Sequence, residues 1–489
     1  MQAVLTDIPW AIVLILLPLA AGMVSFVWPR LATGLGLGTV VITVLAVVGL
    51  GWQLHYIYVG TYRHTIGGWG APLGIDLYAD GLSLLMLTLT ALVALGVSVY
   101  SCVYFERQQA IRFWPVWLLL LAALNAMFLT RDIFNLYVTI ELLGLSAVTL
   151  TALLGGKAAL DGAMRYLLAT LLGSLFYLLG VALLYHSYGS VDITILAARV
   201  EAVPAVWAAF GLMAVGLMLK TALFPLHFWL PRAHASASAP VSAVLSALVV
   251  KASFYILLRL WLAIFSPLAE QGPASLLGGL GAAAILWGSF QALRQTRLKL
   301  LIAYSTVAQI GYLFLAFPLA AASAVSAWNA AAYMALSHAL AKAAMFMVAG
   351  NLLRFGSHDR IVDLDRVVQR LPLTAGAFAL AGVSIMGLPP SGGFIGKWLL
   401  LETALSQGRW DLVAVMLVGG MLAAGYVFKV LGHAFTQASV THEAGAVPRT
   451  MEWAAFGLAV AAIVLGLIAV PVLGWFDLGS VAGIGRGVP

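Results

Sequence analysis

The sequence predicts an all-α polytopic membrane protein of about fourteen transmembrane helices, the seventh and the twelfth of them broken. Three observations carry this. Of 489 residues, 63% are hydrophobic and only 9% charged, far from globular usage. The apolar residues gather into runs of about 20, the length that crosses a bilayer as a helix. Finally, lysines stand inside two of these runs beside prolines, which remove backbone donors and clash with preceding carbonyls.

The runs lie at roughly 8–28, 32–54, 79–105, 113–130, 133–154, 163–186, 204–226, 240–262, 275–292, 300–319, 326–352, 372–405, 411–433 and 453–475. The first is too long, and lacks the small-residue site after a basic start, for a cleaved signal peptide, so it is read as a retained helix. The first two carry no buried charge and flank Trp28, Pro29 and Arg30 at an interface. Segment 59–78 is rich in Gly and aromatic residues and is expected to form a small hairpin cap. Asp80 opens the third span, where a helix cap is the expected role.

The fifth span holds Glu141 with apolar residues on both sides and no charge in reach along its own helix. An isolated carboxylate there is costly, and intramembrane acids usually face a partner or water. Asp161 and Arg165 open the sixth span as an i, i+4 surface pair. The stretch Lys220 to Lys251, KTALFPLHFWLPRAHASASAPVSAVLSALVVK, then sets two lysines in apolar sequence with Pro225, Pro231 and Pro240 between them. Carbonyls freed by such a break are tolerated at membrane depth only where protein or water satisfies them, so a hydrated cavity is expected. Glu141 and Lys220, of opposite sign and each without a partner on its own helix, are expected to meet.

RQTRLK before the tenth span reads as an ordinary inner anchor. In the eleventh, His338 and Lys342 stand four apart on one face and are read as a relay. Segment 354–370 is the most charged part of the chain and is expected to be a solvated face on the inner side, a docking surface at most. The twelfth span repeats the logic of the seventh, with Pro389, Pro390 and Lys397, and the thirteenth holds Lys429. Lys220 to Lys251 and Lys397 to Lys429 are nearly equal intervals, which suggests an internal repeat whose copies enter from opposite sides. Buried without a counter-charge on their own helices, Lys251 and Lys397 are expected to be able to release a proton.

Sorting the basic residues by side supports a topology with both termini outside, in the periplasm. Fourteen Lys or Arg fall in inner loops, and only Arg63, Arg131, Arg199, Arg409 and Arg486 in outer segments. The remaining six, Lys220, Lys251, Arg259, Lys342, Lys397 and Lys429, fall inside spans. The net charge of +7 is therefore an insertion signal and implies no nucleic-acid partner. No Walker loop, dinucleotide fingerprint, CxxC cluster or HExxH is present, and Cys102 is a single cysteine. No cofactor and no metal site is expected.

NLYVTIELLGL around Glu141, KTALFPLHFWLPRAH, APVSAVLSALVVKASFY, SHALAKAAMF and GLPPSGGFIGKW occur in this order. With them the chain resembles the antiporter-like family shared by Mrp-type cation/proton antiporters, in particular the D-type subunit, and the membrane arm of respiratory complex I and related hydrogenases. The resemblance covers nearly the whole chain. It implies fourteen helices, two inverted five-helix repeats (111–262 and 263–433) between N-terminal helices (1–110) and a C-terminal helix (434–489), and a polar axis along which protons move. It further implies that Glu141 and Lys220 form the coupled pair of one half-channel, that Lys251 and His338 connect the halves, and that Lys397 is the exit-side lysine. Lys342 joins this set through its pairing with His338, and His227, His234, Lys429 and Glu402 are secondary candidates. Arg232, in PRAH, departs from the acidic residue common in the family. With about a dozen residues after its last span, the chain is expected to lack a long lateral helix.

The expected function is proton conduction, with or without exchange for Na+ or K+, by one subunit of a hetero-oligomeric complex in the inner membrane, in contact with other membrane subunits and the lipid bilayer. The rivals are a proton-pumping subunit of a redox-driven complex and a non-conducting docking scaffold.

Overall fold

The computed structural model describes residues 8–58, 60–320, 324–437 and 445–476. Arg486, and the terminal stretch in which no lateral helix is expected, lie outside the described residues. We number the main helices α1 (Trp10–Val27), α2 (Ala32–Tyr56), α3 (Gly81–Tyr104), α4 (Arg107–Leu129), α5 (Ile133–Thr151), α6 (Gly156–Tyr188), α7 (Pro204–Thr221), α8 (Leu230–Ser236), α9 (Ala239–Ala263), α10 (Pro273–Arg294), α11 (Leu298–Leu319), α12 (Ala324–Gly356), α13 (Pro372–Met386), α14 (Gly392–Ser406), α15 (Trp410–Phe435) and α16 (Arg449–Leu467). Among the described residues thirteen helices are long and apolar enough to cross a membrane. The twelfth expected span is α13 and α14, 15 residues each and separated by a non-helical turn. The chain is thus an all-α, multi-pass membrane protein.

Two helices form the centre. In α9 and α12 every residue of the most apolar stretch is buried, whereas α1, α2, α15 and α16 bury well under half of theirs and turn the rest outward. α12 packs against α3, α9, α11, α13, α14 and α16. The expected cap over 59–78 is an antiparallel hairpin, β1 (Tyr62–Thr65) with β2 (Asp76–Ala79), tied by Arg63 to Asp76. It marks one face of the bundle, and segment 354–370 marks the other.

The two breaks are built alike. α7 ends with Ala222 in the left-handed region (φ 59), with Ala222 N donating to Leu219 O and Leu223 N to Met218 O. α13 ends with Gly387 (φ 82), with Gly387 N donating to Ser384 O and Leu388 N to Val383 O. These are Schellman-type ends, which satisfy some of the last carbonyls of a helix. Glycine is favoured at 387 on two counts: its φ is positive, and a Cβ would lie 2.6 Å from Lys397 Cδ and displace that side chain.

Several expectations are corrected here. Lys220 is the penultimate residue of the half-helix before its break, whereas Lys397 is the sixth residue of the half-helix after its break. The equal lysine intervals therefore do not align the breaks. Segment 354–370 is more than a solvated face: Asp359 and Asp363 are buried, Asp359 accepts from Arg297 at 2.8 Å, and Arg297 and Arg360 form a β-bridge. Lys299 of RQTRLK is no simple anchor, because it is 5% exposed and donates to Ala237 O at the turn before α9. Asp80 does cap α3, accepting from Ser83 N at 2.9 Å, but it is also paired to Arg259 of α9.

Candidate functional site

The site begins where α5, α6 and α7 meet. Lys220 Nζ lies 3.4 Å from Glu141 Oε1 and donates to Thr170 Oγ1 at 2.7 Å. Close helix approach brings the lysine there. Gly173 of α6 faces Gly216 of α7, and a Cβ on Gly173 would lie 2.8 Å from Gly216 O and 3.1 Å from Lys220 Cγ. Small residues at such crossings let membrane helices pack backbone to backbone. Gly173→Ala is accordingly expected to push Lys220 away from Thr170 and to reduce transport several-fold without loss of the assembled complex, as measured by flux per reconstituted complex; unchanged flux would show that the crossing does not position the lysine.

Beyond Lys220 a small void touches Thr170, Gly144 and Tyr166 on one side and Val249 and Ser253 of α9 on the other. Its volume of about 10 Å³ is near the lower limit for one water. α9 is irregular at this depth, with a π-helical turn at Leu245–Val249, a feature often found at functional sites. Lys251, with no exposed surface, donates to Ser246 O on that turn at 2.8 Å. Ser246 Oγ in turn is 2.8 Å from Thr306 Oγ1 of α11.

α12 supplies the next groups. His338 is 2% exposed, neither ring nitrogen has a hydrogen-bond partner among the described residues, and Lys251, Lys342 and Lys397 all lie within electrostatic reach of it. Buried polar groups are seldom left without a partner, and those that are stand out as candidates for a functional role. Lys342 donates to Ile302 O at 3.0 Å and to Ser305 Oγ. Past α12, Lys397 donates to Ile385 O at 2.7 Å and Met386 O at 3.2 Å, and its ammonium lies 4.6 Å from the centre of the Tyr312 ring. The lysine thus satisfies carbonyls freed by the break, and at the other break Trp229 Nε1 adds a second donor to Leu219 O. A cavity of about 150 Å³, lined in part by Lys397, Tyr312, Phe394, Trp398 and Met416, adjoins it.

Among the described residues Lys220 has an ion-pair partner, while Lys251, Lys342 and Lys397 have none. Burial opposes a charge on each, and repulsion opposes the simultaneous charging of Lys251, Lys342 and Lys397. A row of amines in which a proton on one disfavours a proton on the next can pass protons along, which a row of permanent charges cannot.

The secondary candidates separate. His234 is fully buried, stacked on Phe346, with both ring nitrogens unpartnered among the described residues and Lys299 and Lys342 in electrostatic reach. His227 is half-buried near Phe224 and Tyr304. Lys429 instead closes the end of α10, donating to Leu293 O and Gln295 O at 2.8 Å, and Glu402 is exposed on α14. Neither belongs to the row. Arg232 is exposed too, away from the buried groups. Lys299 is hidden by its basic neighbours, and the Asp80–Arg259 pair by a sequence separation of 179.

A multi-pass bundle with two broken spans and a buried row of amines has the architecture of an antiporter-like membrane protein. Residues 130–423 match the NADH:quinone oxidoreductase/Mrp antiporter transmembrane family, and the chain belongs to that family. The N-type subunit of the NADH-quinone oxidoreductase of Desulforudis audaxviator is 36% identical over 438 residues, 87% of this chain and 86% of that one. The D-type subunit of the Na(+)/H(+) antiporter of Alkalihalophilus pseudofirmus is 29% identical over 411 residues, 81% of each. Among solved structures, a chain of the membrane-bound sulfane sulfur reductase, an archaeal respiratory membrane complex, matches with a TM-score of 0.88 at 26% identity, covering 97% of both chains.

Proposed function

We propose that this chain conducts protons through the membrane as one subunit of a multisubunit complex, in the sequence Glu141 and Lys220, Lys251, His338 with Lys342, and Lys397. The observation that carries this reading is the Lys220–Glu141 contact at 3.4 Å, with a water-sized void between Lys220 and α9, and with His338 in electrostatic reach of Lys251 and of Lys397 beside its 150 Å³ cavity. A proton arriving at the pair neutralises Glu141 or stays with Lys220, and the pair titrates as a unit. Its charge state is then felt at Lys251, which hands a proton towards His338 and Lys397. Residues 111–262 and 263–433 are the two half-channels in this reading, and Na+ or K+ is the ion exchanged where the complex is an antiporter. The test is proton uptake by the purified complex in liposomes under an imposed Na+ or K+ gradient, with no flux as the result that sinks it.

A second reading has a specific observation behind it: the relative at 36% identity belongs to an NADH-quinone oxidoreductase. Here the same row carries protons driven by electron transfer in partner subunits. Purifying the native complex and identifying its subunits distinguishes the two, since redox subunits with nickel or iron–sulfur centres favour the second and small Mrp-type subunits the first.

The proposed topology puts both termini and the hairpin in the periplasm and segment 354–370 in the cytoplasm. Ser357 is exposed in that segment. With Cys102 replaced by Ser, a cysteine substituted for Ser357 is expected to resist an impermeant thiol reagent in intact cells and to react in inverted vesicles. Labelling in intact cells reverses the orientation.

A further inference from the structure

Among the buried charged groups that the conduction row does not use are Asp80 and Arg259. Asp80, at the start of α3, is 1% exposed and Arg259 of α9 is 5% exposed. Arg259 Nη2 donates to Asp80 Oδ1 at 2.8 Å and to Ser83 Oγ at 3.0 Å, and Nη1 donates to Asp80 Oδ2. Arg259 also donates to the Tyr255 hydroxyl through Nε at 3.3 Å and Nη2 at 3.0 Å, and that hydroxyl donates to Phe128 O at 3.3 Å. Every polar group around the guanidinium is thereby engaged.

Its position is what matters. Lys251, Tyr255 and Arg259 are four apart along α9, so they share one helical face, with Arg259 about 12 Å nearer the hairpin than Lys251. Between Lys251 and Tyr255 lies a void of about 10 Å³, lined also by Leu82 and Met86 of α3 and Ala332 and Ala335 of α12. Above the cluster come Tyr78 of the hairpin, with the Arg131 guanidinium 4.0 Å from its ring centre, and then the exposed Arg63. Along this face of α9 the order towards the hairpin is Lys251, the void beside Tyr255, and then Arg259.

We propose that the Asp80–Arg259–Tyr255 cluster is an electrostatic seal that prevents protons on Lys251 from leaking straight to the hairpin face and so commits them to His338 and Lys397. Arginine does not release its proton in proteins, and a fixed guanidinium across a narrow path repels protons and cations, as charged barriers do in selective pores. Asp80 and Tyr255 hold the guanidinium across the path and compensate its burial. No proton is carried by the cluster itself. The inference rests on the reading of Lys251 as a proton carrier.

The test measures passive proton leak in liposomes holding the purified complex, alongside its coupled transport. In the double variant Asp80→Asn/Arg259→Gln, which leaves no unpaired charge, leak is expected to rise at least tenfold. Arg259→Lys, which keeps a charge there but one that can release its proton, is expected to leak more than the wild type and less than the double variant. Adding Ala335→Val to the double variant fills the void and is expected to remove most of the leak. If the double variant stays tight while coupled transport is normal, the pair is only a structural tie and the seal is refuted. A leak that Ala335→Val does not reduce means general loosening and refutes it as well. Should the double variant fail to assemble, Tyr255→Phe decides the matter: removing the hydroxyl that holds Arg259 is expected to raise leak about threefold, and an unchanged leak overturns the proposal. Failure of the underlying reading looks different, because the wild-type complex itself then moves no protons.

Discussion

Glu141→Gln and Lys220→Ala, each introduced singly into the reconstituted complex, are expected to bring proton flux down to background. Each substitution strips the charge from one partner of a buried pair. Lys220 is 4% exposed at its side chain and Glu141 20%, so the remaining group must hold its charge with little water or give it up. Breaking a buried pair from one side typically costs about 3 to 5 kcal/mol. The partial exposure of Glu141 argues for the lower end of that range. Thr170 still accepts from Lys220 in the Glu141→Gln variant, so that protein is expected to assemble more readily than Lys220→Ala. In the double variant no charge is left unpaired, and thermal stability of the complex should return towards wild type while flux stays at background. Wild-type flux in either single variant would sink the coupled-pair reading, because a switch cannot run on one of its two members.

Lys251→Arg and Lys397→Arg are expected to lower flux nearly as far as alanine does at the same positions, at least about tenfold. The positive charge survives in both, so a role resting on charge alone predicts near-normal activity. Arginine, however, stays protonated throughout the working range. At Lys397 the longer, planar head must also fit beside Tyr312 while reaching Ile385 O and Met386 O. The two positions therefore inform each other: Lys251 donates to a single carbonyl, that of Ser246, and makes fewer geometric demands. Flux at the wild-type level in both arginine variants would exclude proton release from these lysines.

How much of this is legible in sequence depends on where each signal lives. Glu141, Lys220, Lys251, His338, Lys342 and Lys397 stand out because a charged or imidazole group inside an apolar run is costly, and that cost is visible without a fold. The breaks are legible for the same local reason, through proline and glycine. What escapes is set by distant parts of the chain. Nothing near Arg259 announces Asp80, and nothing in LSALV announces a π-helical turn. Lys299 is misread because positive-inside anchors and buried lysines look alike where a loop meets a helix, and only the turn at Ala237 separates them. The equal lysine intervals do not mark equivalent places in the two breaks; what recurs there is the left-handed helix end at Ala222 and Gly387.

α12 bears on how the protein is made. Its 33 residues would extend about 50 Å as a continuous helix, well beyond a hydrocarbon core of about 30 Å. It is the least apolar of the thirteen crossing helices, and its most apolar stretch has no residue left facing lipid. A segment carrying His338 and Lys342 partitions poorly from the translocon into lipid by itself. Its stable residence in the bilayer depends on α3, α9 and α11, which are synthesised earlier and line one side of it. During biogenesis, α12 is therefore expected to be held at the insertion machinery until it has packed against those earlier helices, which makes the insertion of His338 and Lys342 a step on which assembly factors and quality-control proteases can act.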